Sequence, residues 1–229
     1  MTSPAVLRAV AVHIGADVLR HPRHAAWARP LSCRDTVERL SRLCQAAGIR
    51  TQQALLGPDA TTGRARAVIA AAAAGTGPGG LLVLTFSGHS ERPAPGEHDG
   101  GWCLHDAALR HFETATLLAA AAASARIVII ADTCYAAACA AVFTGVPATT
   151  VVLAACAENQ ATLNYRHSQF VHKLERLTYP GGKPNPDCAS YAWLRRELRQ
   201  DTPDVERPDV RASHPAAMRQ RPFRPASRR

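Results

Sequence analysis

The sequence predicts an α/β fold, with a mainly parallel central sheet and helices on both of its faces. Three observations support this prediction. Short apolar runs rich in β-branched residues recur along the chain, the segments between them show helical spacing or are rich in alanine, and glycine or proline separates the two kinds of segment. Strands that alternate with helices are joined by crossovers, which give parallel pairing and cover both faces of a sheet.

The first elements follow this alternation. Residues 7–14 (LRAVAVHI) predict a buried strand. Apolar residues at helical spacing before Gly48 predict a helix over 35–47. Residues 49–56 predict a second strand, and the alanine-rich segment that ends at Gly75 predicts a second helix.

The middle of the chain carries the most apolar strands. Residues 81–86 (LLVLTF) are almost continuously apolar, which is typical of a strand covered on both faces. A helix is predicted over 114–123, followed by a fourth strand in ARIVIIAD at 125–132 and a fifth in VVLAAC at 151–156. This order continues the parallel sheet.

The last part of the chain changes in composition. Helices are predicted over 170–177 and 190–200, separated by the loop YPGGKPNPD. From Thr202 onward the chain is rich in proline and arginine, and we expect a solvated tail whose arginines (219, 221, 224, 228 and 229) contact solvent. A chain of 229 residues with 47% hydrophobic residues can bury one sizeable core, so a single domain over 1–229 is predicted.

Composition excludes several classes of function. The net charge of +9 comes from scattered arginines, and aromatic residues are 5% of the chain, so nucleic-acid binding is not favoured. Seven cysteines, an odd number without dense clustering, predict reduced thiols. The first residues lack the pattern of a signal peptide, and no stretch of eighteen apolar residues is free of charge. We therefore predict a cytoplasmic protein that is not bound to a membrane.

Two of the predicted strands end in residues that suit nucleophilic catalysis. FSGHS places His89 just after the third strand, and ADTCYA places Cys134 just after the fourth. The carboxyl ends of neighbouring parallel strands meet at one edge of a sheet, where ligands bind. A cysteine acts as a nucleophile when its thiol loses a proton, and an imidazole can take that proton and return it to a leaving amine. Each residue alone is better explained by packing or by a loop, and the pair favours catalysis.

These segments resemble the metacaspases and the bacterial caspase-like peptidases. FSGHS and ADTCYA are similar to the SGHG and D-x-C-x-S-G segments of that family. Further segments resemble it in order and spacing: LSCRDTVERL with AAGI, GPDATT, GGWCLHD, VVLAACAENQ and, at the end, QRPF. The resemblance covers most of the chain and implies the caspase-haemoglobinase fold, with a large-subunit-like part over about 1–145 and a small-subunit-like part over about 150–229.

The resemblance also implies the chemistry of the site. It assigns Cys134 as nucleophile and His89 as general acid and base, in a cysteine endopeptidase that hydrolyses protein or peptide substrates. The backbone N–H groups of Ser90 and Cys134 would form the oxyanion hole. Asp132 would bind an arginine or lysine side chain before the cleaved bond, although a strand-end aspartate can equally cap a turn. A second pocket aspartate of the family corresponds most nearly to Asp35, one position early.

Three departures from the family pattern bear on activity. Ser90 replaces a glycine after the histidine, and Ala136 and Ala137 replace a Ser-Gly pair after the cysteine. These changes motivate an alternative, a catalytically silent caspase-like scaffold or interaction domain. The third hypothesis, a basic nucleic-acid-associated domain, depends on net charge alone. A regulatory partner protein is compatible with either of the first two.

Metal binding receives little support. No cofactor is required by the proposed chemistry, and calcium, on which many metacaspases depend, would have only the sparse acidic set Glu97, Asp99 and Asp106. His98, Cys103 and His105 lack a fourth zinc ligand at suitable spacing, so no metal site is predicted.

Overall fold

The computed structural model describes residues 9–24, 27, 32–94, 99–162, 168–202 and 206–224. Nine strands lie within these ranges: β1 (Ala9–Ala16), β2 (Thr51–Leu56), β3 (Leu81–Gly88), β4 (Ser90–Glu91), β5 (Gly101–Cys103), β6 (Ala108–Arg110), β7 (Arg126–Asp132), β8 (Thr149–Ala154) and β9 (Asp209–Ala212). Six α-helices accompany them: α1 (Cys33–Ala46), α2 (Thr62–Gly75), α3 (His111–Leu118), α4 (Ala138–Phe143), α5 (Gln169–Thr178) and α6 (Tyr191–Arg199).

Six of the strands form the central sheet, in the order β2-β1-β3-β7-β8-β9. The first five are parallel, and β9 pairs with β8 in the antiparallel direction. Helix α1 packs against α5 and α5 against α6, whereas α2 packs against α3 and α3 against α4. Because β1-to-β2 and β2-to-β3 crossovers run in opposite directions along the sheet, right-handed connections place α1 and α2 on opposite faces. The predicted α/β class, the mainly parallel sheet and the helices on both faces are confirmed, and the order is consistent with the caspase-haemoglobinase fold.

The centre of the sheet is the centre of the core. Every residue of β3 and of β7 is buried, as their continuous apolar sequences predict. One hydrophobic cluster includes residues from both strands and also from α5, α6 and the segment around Phe223. The two sequence halves on either side of residue 150 therefore share one core. None of the helices in the described residues is long and apolar enough to cross a bilayer.

Helix ends follow local signals in the sequence. Thr61 accepts a hydrogen bond from the Arg64 N–H at the start of α2. Ser168 caps α5 in the same way, and Ser190 caps α6. Gly48 has a φ of +84°, the left-handed conformation that closes many helices, and it follows α1 as predicted.

Two sequence predictions in the middle of the chain are wrong in part. The helix predicted over 114–123 spans His111–Leu118, so it begins three residues earlier and ends five earlier. The Ala122 N–H donates to the carbonyl of Thr76, and this bond to the end of α2 replaces helical pairing. The fifth strand ends at Ala154 rather than at 156. A small antiparallel sheet of β4, β5 and β6, which the sequence did not predict, lies beside the end of β3.

The prediction of a solvated tail is wrong for the described residues of the tail. Strand β9 extends the central sheet, and the Phe223 side chain is completely buried. The Tyr191 hydroxyl accepts a hydrogen bond from the Phe223 N–H, and the Arg126 guanidinium donates to the carbonyl of Arg224. This segment is packed, but the side chains of Arg219, Arg221 and Arg224 are exposed, as predicted, while residues 228 and 229 are outside the described residues.

Candidate functional site

The pairing of β3 with β7 places two reactive side chains at one edge of the sheet. Ser87 lies opposite Asp132, an offset of 45 residues. His89 and Cys134 differ by the same offset and therefore follow the paired strands at corresponding positions. The Ser90 hydroxyl donates to the carbonyl of Cys134 and joins the two connections. We call residues 88–91 the histidine loop and residues 133–137 the cysteine loop.

The glycine before His89 is required by a close approach of the backbone. A Cβ atom at Gly88 would lie 2.9 Å from the carbonyl oxygen of Ala16 and 2.9 Å from the Phe86 ring. Neither a backbone carbonyl nor a ring buried in the core can move away easily. The end of β3 can therefore reach this edge of the sheet beside β1 only with glycine at position 88.

His89 is half-buried in a partly apolar environment. Burial lowers the pKa of its imidazole, the neighbouring His24 lowers it further, and a hydrogen bond with the backbone of Trp27 opposes both effects. The Nε2 atom is buried and has no hydrogen-bond partner among the described residues. A neutral imidazole with a free nitrogen is the form that can accept a proton from a thiol.

Cys134 differs from the other cysteines in its exposure. Its side chain is partly exposed, whereas the other six are buried. Burial raises the pKa of five of those thiols to about 12 and that of Cys188 to about 11; the five are Cys33, Cys44, Cys103, Cys139 and Cys156. Buried thiols with raised pKa values are poor nucleophiles, so Cys134 is the best placed of the seven to react.

The polar contact of Cys134 in this structure is with a threonine. Its Sγ atom lies 3.9 Å from Thr162 Oγ1. Within the described residues, no hydrogen bond joins Cys134 Sγ to His89, whose Nε2 remains free. Catalytic pairs are often loosely aligned before substrate binds, so this geometry is compatible with a working pair and also with an idle one.

Backbone hydrogen bonds hold the cysteine loop. Tyr135 has a φ of +54°, a left-handed conformation that is uncommon for a residue other than glycine. Its N–H donates to the carbonyl of Gln160 at 2.7 Å, and the Ala137 N–H donates to the carbonyl of Cys156 at 3.1 Å. Ala136 and Ala137 are both buried. The cysteine loop therefore lies against the segment that follows β8.

The pairing of β4 with β5 sets the direction of the Ser90 backbone N–H. Ser90 pairs with Trp102, and the neighbouring bond runs from the Cys103 N–H to the carbonyl of His89 at 2.9 Å. In an antiparallel ladder this pattern marks a pair whose own N–H groups point away from the partner strand. The Ser90 N–H, predicted for the oxyanion hole with that of Cys134, thus points away from β5.

The two predicted specificity aspartates lie in different environments. Asp132 is 3% exposed, and its carboxylate accepts hydrogen bonds from the Ser87 hydroxyl at 3.0 Å and the Ser168 hydroxyl at 2.7 Å. It therefore also holds the cap of α5. Asp35 lies in the first turn of α1 and pairs with Arg39, whose guanidinium is 3.1 Å away.

A cavity of about 540 Å³ adjoins the cysteine loop. Thr162, the residue that contacts Cys134 Sγ, lies in its wall. Side chains of both charges share the lining with apolar ones, and they include Phe170, Lys173, Arg176, Asp201 and Glu206. An opening of this size beside Thr162 can accept an extended polar chain.

The residues considered for metal binding have other contacts. Asp106 accepts hydrogen bonds from the Thr62 N–H at 2.7 Å and the Thr62 hydroxyl at 3.0 Å. Asp99 accepts a hydrogen bond from Arg110 at 3.0 Å, and the His105 Nδ1 atom lies 2.8 Å from the Val18 carbonyl. Cys103 is buried, and Glu97 and His98 lie outside the described residues. The described part of the chain contains no group of three or more metal-ligating side chains.

Sequence reasoning missed the residues that support His89. His24 and Glu91 form a hydrogen bond of 2.9 Å beside it, and Trp27 contacts it through the backbone. Nothing in the local sequence pairs the loop after β1 with β4, since the two segments are 67 residues apart. The presence of two histidines and a tryptophan in an otherwise polar loop was the one available signal.

Comparison with known proteins gives a likeness in structure alone. No protein-family model matches the sequence, and no curated protein matches it. A crystal structure of protein GSU0716 from Geobacter sulfurreducens is similar, with a TM-score of 0.80 and 20% sequence identity, over 96% of this chain and 100% of that one. At this identity the likeness supports the fold, and it carries no assignment of activity.

Proposed function

We propose that this chain is a caspase-like cysteine endopeptidase, with Cys134 as nucleophile and His89 as general acid and base. The observation that carries the proposal is the placement of these two side chains at corresponding positions after the paired strands β3 and β7. Support also comes from the partial exposure of Cys134 and from the free Nε2 atom of His89. Six sequence segments that resemble the family add to this support.

The chemistry would follow from these positions. His89 takes the thiol proton, and the Cys134 thiolate attacks the carbonyl carbon of the scissile peptide bond. The N–H groups of Ser90 and Cys134 stabilise the developing oxyanion, and His89 returns the proton to the leaving amine. Water then hydrolyses the thioester and regenerates the thiol.

The proposed preference for arginine or lysine before the cleaved bond depends on Asp132. A carboxylate at the end of β7 is the acidic group nearest in sequence to the nucleophile. Because two serine hydroxyls already donate to it, a basic side chain would add a charge-assisted bond to an ordered carboxylate. The substitution Asp132→Asn should lower kcat/KM for peptides ending in arginine more than for peptides ending in a neutral residue.

The test of activity compares the protein with two cysteine variants. Wild type, Cys134→Ala and Cys188→Ala are incubated with fluorogenic peptides that end in Arg, Lys or Asp, with and without calcium. We expect turnover by wild type and by Cys188→Ala, because Cys188 lies outside the site, and none by Cys134→Ala. Absence of turnover in every condition, with no labelling of Cys134 by a thiol electrophile, would contradict the proposal.

A catalytically silent scaffold is the second candidate. The observation in its favour is the contact of Cys134 Sγ with Thr162 Oγ1 in place of a hydrogen bond to His89. Labelling of Cys134 without peptide cleavage, at any pH between 6 and 9, would favour this candidate over a peptidase.

A further inference from the structure

A second histidine is buried beside the histidine loop. His24 is 1% exposed and lies in the connection between β1 and α1. Glu91, which follows His89 by two residues, lies in β4. The His24 Nε2–H donates to Glu91 Oε1 at 2.9 Å. A buried imidazole with a single well-formed hydrogen bond to a carboxylate has a fixed orientation.

Glu91 is itself held in place. Its second oxygen, Oε2, accepts a hydrogen bond from Arg110 at 3.1 Å. The same guanidinium donates through Nε to Asp99 at 3.0 Å. The carboxylate that holds His24 therefore belongs to a chain of charged groups on β4 and β6, and it cannot change its orientation alone.

Trp27 links His24 to His89. The Trp27 N–H donates to the His24 carbonyl at 2.8 Å, and the two rings stack with centroids 5.2 Å apart. On its other side the Trp27 ring lies 6.5 Å from the ring of His89, and the Trp27 backbone forms a hydrogen bond with that imidazole. Because the Trp27 side chain is exposed, its position depends on the backbone bond to His24, whose ring is anchored by Glu91.

We infer that His24, oriented by Glu91, is a positioning residue that holds the Trp27 backbone against His89 and so directs His89 Nε2 toward Cys134. Its effect on peptide hydrolysis rests on the proposed function, whereas its effect on the reactivity of Cys134 does not. A general base must lie within hydrogen-bond reach of the proton it removes, and small displacements of such a base reduce rates greatly.

The test uses variants that separate the hydrogen bond from the ring. His24→Phe keeps the aromatic stack and removes the donor to Glu91. His24→Gln keeps an N–H donor and loses the stack, and Glu91→Gln keeps an acceptor and loses the charge. The matched control is His21→Phe, which changes a ring 4.9 Å from His24 and leaves the bond to Glu91 in place.

Two rates are measured for each variant: the alkylation of Cys134 by iodoacetamide at pH 6.5, located by peptide mass, and kcat on a cleaved peptide. We expect His24→Phe to lower both by roughly tenfold or more, with KM unchanged, since positioning affects the proton transfer and not ground-state binding. His24→Gln, Glu91→Gln and His21→Phe should stay within about threefold of wild type by the same reasoning. His89→Ala sets the lower limit for alkylation.

The pH dependence supplies a readout that a purely structural role would not change. Among the described residues, the charged or titratable groups around His89 and its support are His21, His24, Glu91, Asp99, Cys103, Arg110 and Cys134. Because His24 lowers the pKa of His89, its removal in His24→Phe should move the acid limb of the alkylation profile to higher pH. Titration of the His89 ring by NMR measures the same change directly.

The outcomes distinguish this inference from the proposed function. Wild-type rates and an unshifted acid limb in folded His24→Phe would overturn the positioning role, as would equal losses in His24→Phe and His24→Gln. If wild type cleaves no peptide but its alkylation shows the expected order of variants, the positioning role holds and the peptidase proposal fails. If His24→Phe does not fold, Glu91→Ala takes its place in the test. An alkylation rate of Cys134 equal to that of wild type in Glu91→Ala would then overturn the inference.

Discussion

The two loops of the candidate site are held by different kinds of interaction. Besides its backbone pairing with β5, the histidine loop is held by side chains, through Glu91 with its partners His24 and Arg110. The cysteine loop is held by backbone hydrogen bonds at Tyr135 and at Ala137. Side-chain support is sensitive to single substitutions, whereas backbone support is sensitive to the conformation that each residue can adopt. The nucleophile and its base should therefore respond to different perturbations.

The largest expected effect concerns His111, which packs against the strand that pairs with the histidine loop and against the helix that follows the cysteine loop. Its buried ring is 5.7 Å from Trp102, the partner of Ser90, and 5.8 Å from Phe143, at the end of α4. Burial lowers its pKa from 6.5 to about 4. On acidification, the unfolded chain therefore takes up this proton at a higher pH than the folded chain does. The contribution of a neutral His111 to the free energy of unfolding is complete above pH 6.5, and it falls by about 3 kcal/mol as the pH decreases from 6.5 to 4.

Chemical denaturation at pH 7, 5 and 4 measures this effect. In His111→Leu the decrease in the free energy of unfolding between pH 7 and pH 4 should be smaller than in wild type by about 3 kcal/mol. Equal losses in the two proteins would mean that His111 is not kept neutral by the fold. Such a result would mean that His111 does not make the packing around Trp102 and Phe143 sensitive to pH.

The next effect tests the close approach at the start of the histidine loop. Gly88→Ala forces a methyl group against the Ala16 carbonyl and should lower the free energy of unfolding by about 1–3 kcal/mol. It should also displace His89 and reduce turnover. Gly63→Ala in α2 is the control, because a Cβ there meets nothing within 4 Å and should be neutral or stabilising. Equal melting temperatures for the two variants would contradict the account of Gly88.

A third prediction examines the backbone of the cysteine loop. Tyr135→Val places a β-branched residue at a φ of +54° and should cost roughly 1–2 kcal/mol relative to Tyr135→Asn, because asparagine tolerates the left-handed region. Both variants lose the contact between the Tyr135 ring and Arg92, so the difference isolates the backbone. Thermal unfolding of Tyr135→Val and Tyr135→Asn measures this difference. Equal stability of the two variants would show that the positive φ at position 135 does not matter for stability.

The smallest effect concerns the link between the loops. Ser90→Gly restores the residue of the similar family and removes the hydroxyl that donates to the Cys134 carbonyl. We expect a loss of stability of about 1 kcal/mol, while turnover stays within a few fold because the backbone N–H is retained. Measuring kcat and the free energy of unfolding on the same preparation of Ser90→Gly tests both expectations. A large loss of kcat would show that the hydroxyl itself orients the nucleophile.

The sequence was sufficient for the elements whose signals are local. The continuous apolar runs of β3 and β7 predicted their burial, and the glycine after α1 predicted its end. Placing His89 and Cys134 at neighbouring strand ends needed the tendency of consecutive parallel strands to lie side by side, which holds for β3 and β7. These features depend on a few adjacent residues and on general rules of topology.

Other features depend on contacts between distant segments. Strand β9 has four residues, too few for a periodic signal, and its burial follows from pairing with β8. Arg195 and Arg199 of α6 and Arg211 of β9 all donate to the carboxylate of Asp209. The support of His89 by His24 likewise connects segments 67 residues apart. Propensity and spacing contain no information on such pairings.

The 45-residue separation of His89 and Cys134 in the sequence is a by-product of loop length, whereas the lateral pairing of Ser87 with Asp132 is what brings them together. Extra residues between β4 and β5, or between α3 and β7, would lengthen the separation and leave the pairing unchanged. Proteins with the same site can therefore differ widely in this spacing, and a search for them should match the two strand ends rather than a fixed distance. The same tolerance makes the connection from β4 to β5 a suitable place to insert a reporter peptide.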